Sequence, residues 1–541
     1  MSSSQVMVVG AGPTGMLLAA ELARRNVAVR LLEKRDRPAE HSRALGVVPR
    51  TMEMFEQLGL IEELLTLGHR VHGIRIHGKG RRSLVDLDLR KLSTRYPFML
   101  LLPQTRTEAI LRQFLEELEV KIEWGTELTA FRMERMGICA ELTHAGRQQE
   151  ALSGYLAGCD GAHSTVRKQA GLEFPGAAYQ QNWLLADVTL EPRLDPKFMH
   201  LFTCPSGPIL FFPLPENVWR IVAMRPGTTQ DAGQATLEEI LELLEQNQLG
   251  HLRPHRPLWV AGFAIHHRHT KQLRNGRVFL CGDAAHIHSP AGGQGMNTGL
   301  GDAFNLGWKL AATVKGEGSE ALLDSYEPER LPVIEGVLEM TNRMTLMMTA
   351  TAGPAVWLRE WVMPWMARTG MYRKMGERLS QLQVAYPQSS AVLPDARRNP
   401  GMVSVGSRIP PLILKNKNTG RETSFSALFL QGRLVMVLFP EGKINMDGLR
   451  QVTARAGLTD WHWVLRPGQM NEEIRPGDGV WVDPEERVRS VLGNPDHASW
   501  ALLRPDGILM ARGEACETGL LAEFLNRLFG GSGEGSELSG P

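Results

Sequence analysis

An α/β fold of several domains is predicted by three observations. The N-terminus reads as strand, glycine-rich turn, helix and strand, the order of a parallel βαβ unit. Two more apolar strands, far apart in sequence, each end in an adjoining Asp and Gly, at Asp160-Gly161 and Gly282-Asp283. Finally, the 541 residues exceed a single hydrophobic core, which stops growing near ~250–300 residues.

The first unit is Rossmann-like in every part. Gln5 to Val9 is a nearly continuous apolar strand, as a buried parallel strand requires. Gly10-Ala11-Gly12-Pro13-Thr14-Gly15 follows at once, then a helix from Met16 to Arg25 and a second strand from Val27 to Leu32. Gly10 permits the tight turn, Gly12 leaves the backbone open to a pyrophosphate, and Gly15 lets helix and strand pack closely. The helix N-terminus then favours the negative charge. Glu33 ends the second strand, where a carboxylate accepts hydrogen bonds from ribose hydroxyls. Lys34 and Arg35 either touch an adenosine phosphate or lie on a solvated loop. The motif alone does not separate FAD from NAD.

Two later segments add to it. Cys159-Asp160-Gly161-Ala162-His163-Ser164-Thr165-Val166-Arg167 follows a strand from Tyr155 to Ala157. Arg277 to Leu280 is another apolar strand, ending at Gly282-Asp283 and running on through Ala284-Ala285-His286. The chain continues as Ser289-Pro290-Ala291-Gly292-Gly293-Gln294-Gly295-Met296-Asn297, and a helix is expected from Leu300 to Thr313. An acid at a strand end bonds a polyol or ribose hydroxyl. A glycine-dense loop offers several backbone N–H groups to an anion or an electron-rich ring edge. Pro290 fixes one turn of that loop.

Taken together, these segments resemble the fingerprints of the FAD-dependent aromatic hydroxylases, the family of para-hydroxybenzoate hydroxylase and phenol hydroxylase. Ser42-Arg43-Ala44 with Pro49-Arg50-Thr51, and Pro103-Gln104-Thr105-Arg106-Thr107-Glu108, match as well, so the likeness spans roughly residues 4–340. By similarity, Arg43 and Gln104 touch the phosphate and ribose region of FAD. Asp160 and Gly161 serve both FAD and the reduced nicotinamide, Asp283 the ribityl chain or pyrophosphate. Gly292, Gly295, Met296 and Asn297 present backbone groups to the isoalloxazine. His163, His286 and His288 read as local hydrogen-bonding residues, and no catalytic base is named.

The rest of the chain fits the same frame. Gly73 to Leu89, Leu184 to Leu190, His200 to Phe212 and Trp219 to Met224 alternate as strands do. They resemble the family's substrate-binding sheet, with Phe202, Leu210, Phe212 and Met224 either lining a pocket or packing in the core. Arg433 to Phe439, Trp461 to Leu465 and a hairpin turning at Arg504-Pro505-Asp506-Gly507 mark a separate domain. It resembles the thioredoxin-like C-terminal domain of the phenol hydroxylase branch. Pro440-Glu441-Gly442-Lys443 stands where redox thioredoxins carry C-x-x-C, so disulfide exchange is not expected.

The resulting division is a discontinuous FAD-binding domain (1–75, 100–178 and 265–345) and a substrate-binding sheet (76–99 and 179–264). A helical connection (346–399), a thioredoxin-like domain (400–530) and a disordered Gly/Ser-rich tail (531–541) complete it.

Bulk properties exclude other classes. With 60 basic and 59 acidic side chains the net charge is +1, so neither nucleic-acid binding nor a polybasic membrane patch is expected. Five scattered cysteines, without a C-x-x-C pair, argue against a disulfide framework and against a metal site. The short stretch before the first strand lacks the features of a secretory signal, which predicts a cytoplasmic protein. No apolar run is long enough to span a membrane. The Met- and Trp-rich stretch from Met340 to Met375 is broken by Pro354 and Pro364 and reads as short amphipathic helices packed on a neighbouring domain. A homodimer stays open.

The resemblance implies a monooxygenase. NADPH or NADH reduces FAD, and one oxygen of O2 enters a small aromatic substrate, phenolic or polycyclic, through a flavin C4a-hydroperoxide. Epoxidation, Baeyer–Villiger insertion and non-catalytic FAD binding are the alternatives.

Overall fold

The computed structural model describes residues 3–41, 44–78, 83–135, 137–225, 235–289, 292–349, 371–395, 401–441, 444–454, 459–494, 497–514 and 517–530. Residues 350–370, which hold much of the expected amphipathic stretch, and the expected tail from 531 lie outside them.

Strand Ser3–Val9 sits at the centre of the first sheet. It is parallel to Val29–Glu33 on one side and to Arg147–Gly158 on the other. Ile122–Trp124 extends the sheet beyond Val29–Glu33, and Val278–Leu280 beyond Arg147–Gly158, both again parallel. Val6, Met7, Val8 and Val9 are all buried, as in a parallel sheet covered on both faces, which leaves no side for polar residues. Helix Pro13–Ala23 packs on the long helix Gly295–Val314. A Cβ on Gly307 would come within 2.5 Å of the Glu21 side chain, so these helices meet at a contact only glycine permits.

The second sheet is mixed. Its order is His286–Ile287, Arg253–His269, Gly176–Glu191, Val218–Arg225, Gly207–Pro213, Met199–Cys204, Gly73–His77 and Ser83–Asp88. Side chains alternate between its faces, as strand geometry demands. Leu184, Ala186, Phe211 and Ile221 pack with Ile240, Leu243 and Leu244 of helix Leu237–Gln246. Trp183, Leu185, Phe263 and Ile265 occupy the opposite face with half-buried Leu210, Val222, Met224 and Trp259. Of the four apolar residues singled out from sequence, Phe202 belongs to the helix-covered core. Leu210 and Met224 lie on the opposite face, and Phe212 packs in a third cluster with Leu101 and Met199.

The C-terminal sheet has the order Glu422–Ser424, Ile413–Asn416, Gly479–Val482, Thr459–Leu465, Leu434–Phe439, Ser499–Leu503 and Leu509–Glu514. Helices Met446–Ala454 and Gly519–Phe529 cover one face, which also takes Trp308 and Leu322 from outside the sheet. A buried ionic cluster accompanies that contact. Glu329 accepts from Arg504 at 2.6 and 2.9 Å, from Lys309 at 2.8 Å and from Asn305 at 2.6 Å. Among the described residues, no helix is long and apolar enough to cross a membrane, and no cluster of His, Cys, Asp and Glu could hold a metal ion.

Candidate cofactor cleft

Three neighbouring parallel strands end at the three motifs: Ser3–Val9 at Gly10, Arg147–Gly158 at Cys159-Asp160, and Val278–Leu280 at Cys281-Gly282-Asp283. Ligands of open α/β sheets bind outside the carboxyl ends of their strands. A cavity of about 260 Å³ opens there, lined by Gly10, Gly12, Glu33, Lys34, Arg35, Asp160 and Gly161 among others.

The three glycines meet different surroundings. Gly10 has φ +101°, and a Cβ on it would lie 2.3 Å from the Cys159 carbonyl oxygen. A Cβ on Gly15 would lie 1.9 Å from the Gly10 oxygen. Gly12 differs: an added Cβ meets no atom of the described residues within 4 Å, so this backbone faces open space at the start of helix Pro13–Ala23. Pro13 stands in the first helical turn, where its missing N–H has no intrahelical role. Thr14 packs inward, its Oγ1 2.5 Å from where a Cβ on Gly299 would stand and 2.8 Å from one on Gly282.

Glu33 is buried and fully engaged. Its Oε2 accepts from the Ala11 amide at 3.0 Å, and its Oε1 from the amide and Nε of Arg35 at 3.1 and 2.9 Å. Burial raises its pKa, but the Arg35 guanidinium and the two amides outweigh burial and hold the carboxyl below its ordinary range. Beside Arg35, burial pushes the Glu108 carboxyl up, against Gln104 and Arg35. Gln104 donates its side chain to Glu108 at 2.8 Å and its amide to the Ala44 oxygen at 3.1 Å. Arg43 and Pro290 lie outside the described residues.

The acids at the other two strand ends have unspent capacity. Asp160 Oδ2 caps helix Thr165–Gln169 through the amides of Thr165 and Val166, at 2.7 and 3.1 Å. Its Oδ1 is sealed from solvent and has no partner among the described residues. Asp283 has an exposed side chain yet stands deep in the protein. The surrounding mass pushes its carboxyl above the ordinary range, and His286 pulls it partly back.

Residues that sequence reasoning missed hold these acids in place. Arg167 donates to the oxygens of Ala162 and Ala284, at 2.9 and 2.8 Å, and so ties the two Asp-bearing loops together. Asp302 accepts from the Gly282 amide at 3.0 Å and from Arg330 at 2.7 Å, and bonds His286 at 2.7 Å. Burial raises the pKa of Asp302, but Arg330 and His286 outweigh it and keep the carboxyl low. The only sequence signal for Arg167 was its place in the Asp-Gly segment, and Asp302 reads simply as part of a helix.

The glycine loop follows the third motif and leads into helix Gly295–Val314. Gly292 and Gly293 have φ of +82° and +64°. Asn297 is buried and donates to the oxygens of Gly46 and Gly293, at 2.8 and 2.7 Å, while accepting from the Val48 amide at 3.1 Å. Its side chain therefore clamps the loop to the Gly46–Val48 stretch and has no free donor. Met296 is half-buried against the main core, and Gly295 opens helix Gly295–Val314.

These features suit FAD. Gly12 is open where a pyrophosphate would lie, a helix N-terminus points at it, and the orphaned Asp160 oxygen matches a sugar or polyol hydroxyl. Fold and cleft thus define a dinucleotide-binding flavoprotein.

The comparisons name the family. The model described as "FAD binding domain" matches residues 3–341. The chain is 37% identical to 6-methylpretetramide 4-monooxygenase of Streptomyces rimosus, over 97% of this chain and 93% of that protein. It is 30% identical to pentachlorophenol 4-monooxygenase of Sphingobium chlorophenolicum, over 97% of each. Among solved structures, the anhydrotetracycline hydroxylase OxyS from Streptomyces rimosus superposes with a TM-score of 0.76 at 29% identity, covering 98% of this chain and 99% of that one. The chain belongs to this family of FAD-dependent aromatic monooxygenases.

Proposed function

We propose that this protein hydroxylates a phenol carried on a fused polycyclic aromatic, with NADPH or NADH as reductant. The observation that carries this reading is the apolar face formed by Trp183, Leu185, Phe263 and Ile265, with half-buried Leu210, Val222, Met224 and Trp259 beside them. That face belongs to a sheet whose edge pairs, Arg268 with Ile287 and His269 with His286, with the segment that leads from Asp283 to the glycine loop. The half-buried Leu210, Val222, Met224 and Trp259 at the margin of this face, in the sheet joined to the cofactor motif, suit contact with a flat, multi-ring substrate. The tetracyclic compounds in the relatives' names support it.

Bound FAD supplies the exchange of electrons with nicotinamide and the activation of O2. The chain supplies positioning. Gly12 and the helix N-terminus, with Gly10, Pro13, Thr14 and Gly15 shaping the turn, receive the pyrophosphate. Glu33, flanked by Lys34 and Arg35, takes the adenosine ribose once a ribose hydroxyl replaces one of its present donors, and Arg43 and Gln104 belong to this site by resemblance. Asp160, Gly161, Gly282 and Asp283 take the ribityl and phosphate region. Gly292, Gly295, Met296 and Asn297 shape the loop against the ring, and Pro290 belongs to it by resemblance. The apolar sheet face keeps water from the reacting centre, where it would divert reduced oxygen from the substrate.

The C-terminal unit reads as thioredoxin-like. Its support is the parallel pair Leu434–Phe439 and Thr459–Leu465 joined through helix Met446–Ala454, followed by an antiparallel hairpin and a last helix. Without cysteines between Pro440 and Lys443 its role is structural. The domain boundaries given above, a cytoplasmic location where nicotinamide is supplied, and a homodimer measurable by light scattering belong to the same proposal. The test of function is NADPH oxidation with anhydrotetracycline and with pentachlorophenol. A product one oxygen heavier from the tetracycle supports the reading; turnover of the monocycle alone overturns it.

A further inference from the structure

The turn Arg504-Pro505-Asp506-Gly507 of the C-terminal unit is bound by residues that also hold the cofactor motifs. Arg504 is fully buried and uses four of its five N–H groups on two carboxylates. It forks onto Glu329 at 2.6 and 2.9 Å and onto Asp506 at 3.0 and 2.5 Å. Glu329 is followed on helix Tyr326–Thr349 by Arg330, which bonds towards the cofactor motif instead. Arg330 donates to Asp302 at 2.7 Å, to the Tyr386 hydroxyl at 3.0 Å and to the Thr298 oxygen at 3.1 Å. Asp302 in turn holds the Gly282 amide at 3.0 Å, one residue before Asp283.

A second line of contacts leaves the same turn. The Asp506 carbonyl oxygen accepts from Arg50 at 2.8 Å. Arg50 stands in the first turn of helix Pro49–Gln57. The Val48 amide just before that helix donates to Asn297 at 3.1 Å, and Asn297 clamps the glycine loop at Gly293. Arg50, Arg330, Tyr386 and Asp506 line one small cavity, so the two lines meet around a single point. Stability alone does not call for this arrangement. Apolar side chains of similar volume often hold a buried contact as well or better, because buried charges forfeit their hydration. What forked ion pairs add is direction.

We propose that Arg504 is a positioning residue for FAD: the C-terminal turn sets the places of Asp283 and the glycine loop, through Glu329-Arg330 on one line and Arg50 on the other. FAD binding and docking of that turn are then coupled, and such coupling is reciprocal. Whatever loosens the turn weakens FAD binding, and bound FAD tightens the turn. The coupling rests on FAD lying against Asp283 and the glycine loop, as proposed above.

The test uses the full chain stripped of FAD. Arg504→Met removes the fork, Arg504→Lys keeps the charge beside Glu329 without the fork, and Asp283→Asn checks the placement of FAD itself. Urea unfolding of each establishes that it folds. FAD is then titrated by fluorescence, and the reduction potential of the bound flavin is measured, which a purely structural contact would not move. Arg504→Met should bind FAD about 5- to 150-fold more weakly, the range of such couplings, and shift the potential. Arg504→Lys should recover the urea midpoint and part of the affinity. A second arm needs no variant and decides the matter if Arg504→Met does not fold. In wild type, FAD should slow amide hydrogen exchange over residues 504–508 more than in strands Ile413–Asn416 and Glu422–Ser424 of the same unit. A folded Arg504→Met with wild-type FAD affinity and potential overturns the proposal, as does exchange slowed equally in both places. If Asp283→Asn binds FAD as wild type does, the placement of FAD fails and the coupling with it. If Asp283→Asn weakens FAD binding and a folded Arg504→Met does not, the coupling fails alone.

Discussion

Gly12→Ala separates the fold from the site more cleanly than any other substitution in the cleft. Gly12 has φ −75° and ψ 179°, a conformation alanine adopts without strain. An added Cβ meets no atom of the described residues within 4 Å. The protein without cofactor should therefore keep its stability or gain ~0.4–1 kcal/mol through the unfolded chain. The same methyl projects into the space assigned to the pyrophosphate. Forcing one extra carbon into a filled contact costs about 1–3 kcal/mol. At about 1.4 kcal/mol per tenfold, that is a loss of roughly 5- to 150-fold in FAD affinity. Gly10→Ala is the control: its φ of +101° and its 2.3 Å approach to the Cys159 oxygen put the damage in the fold itself. Urea unfolding of stripped protein and FAD titration by fluorescence measure the two effects. Undiminished FAD binding by Gly12→Ala would place the pyrophosphate elsewhere, and a stripped variant as unstable as Gly10→Ala would show that Gly12 serves the fold.

Three more expectations follow from the same geometry. Asp283→Asn removes an accessible carboxylate, so FAD affinity should fall by about tenfold or more, as for a hydrogen bond to a charged group, with little change in the urea midpoint of stripped protein. Met224→Trp adds bulk to the apolar sheet face and should shift NADPH oxidation from anhydrotetracycline towards smaller phenols at unchanged FAD binding; an unchanged preference would place the substrate elsewhere. Glu329→Gln leaves buried Arg504 and Lys309 without their shared carboxylate and should cost about 3–5 kcal/mol in urea unfolding. Burial raises the Glu329 pKa, but Arg504 and Lys309 outweigh it and hold the carboxyl well below its ordinary range. Its stabilisation is thus complete above about pH 4.3 and is lost as pH falls from there. Wild type should lose stability over that acid range more steeply than Glu329→Gln.

The cofactor cleft was legible in the sequence to the extent that local geometry dictates residue type. Gly10 and Gly15 sit where a Cβ collides with backbone, Gly12 where it would enter open space, and Asp160 and Asp283 stand within three residues of their strands' ends. Each such requirement leaves a mark within a few residues. Arg167 left only its place in the Asp-Gly segment, and Asp302 and Arg330 left none, because their partners come from other elements: Ala284 lies 117 residues from Arg167, and Arg330 lies 28 from Asp302. Nothing in a linear pattern joins them. Strand Arg253–His269 escaped notice because Pro254, Pro257 and the run of histidines disguise its alternation, although it pairs with Gly176–Glu191 almost throughout. Helix Leu237–Gln246 carried a readable start: Thr236 accepts from the Glu239 amide at 3.4 Å, the Thr-x-x-Glu signature of a helix cap. The turn at Arg504-Pro505-Asp506-Gly507 was legible as a turn, with the Gly507 amide donating to the Arg504 oxygen at 3.0 Å. Its charged side chains would be placed in solvent by any local rule, yet Arg504 and Asp506 are buried, because Glu329 and Trp308 of the cofactor-binding part wait on the other side.

If the cleft at the three strand ends binds FAD and uses it to oxygenate an aromatic ring, the flavin itself reports both steps. The most direct measurement is the visible absorbance of the purified protein, followed as NADPH is added with and without anhydrotetracycline. The purified protein should show a flavin spectrum at one FAD per chain, bleached by NADPH faster when the phenol is present, and should yield a product carrying one more oxygen. A protein that holds no flavin after incubation with FAD, or a flavin that NADPH reduces no faster with the phenol and that yields only hydrogen peroxide, would contradict it.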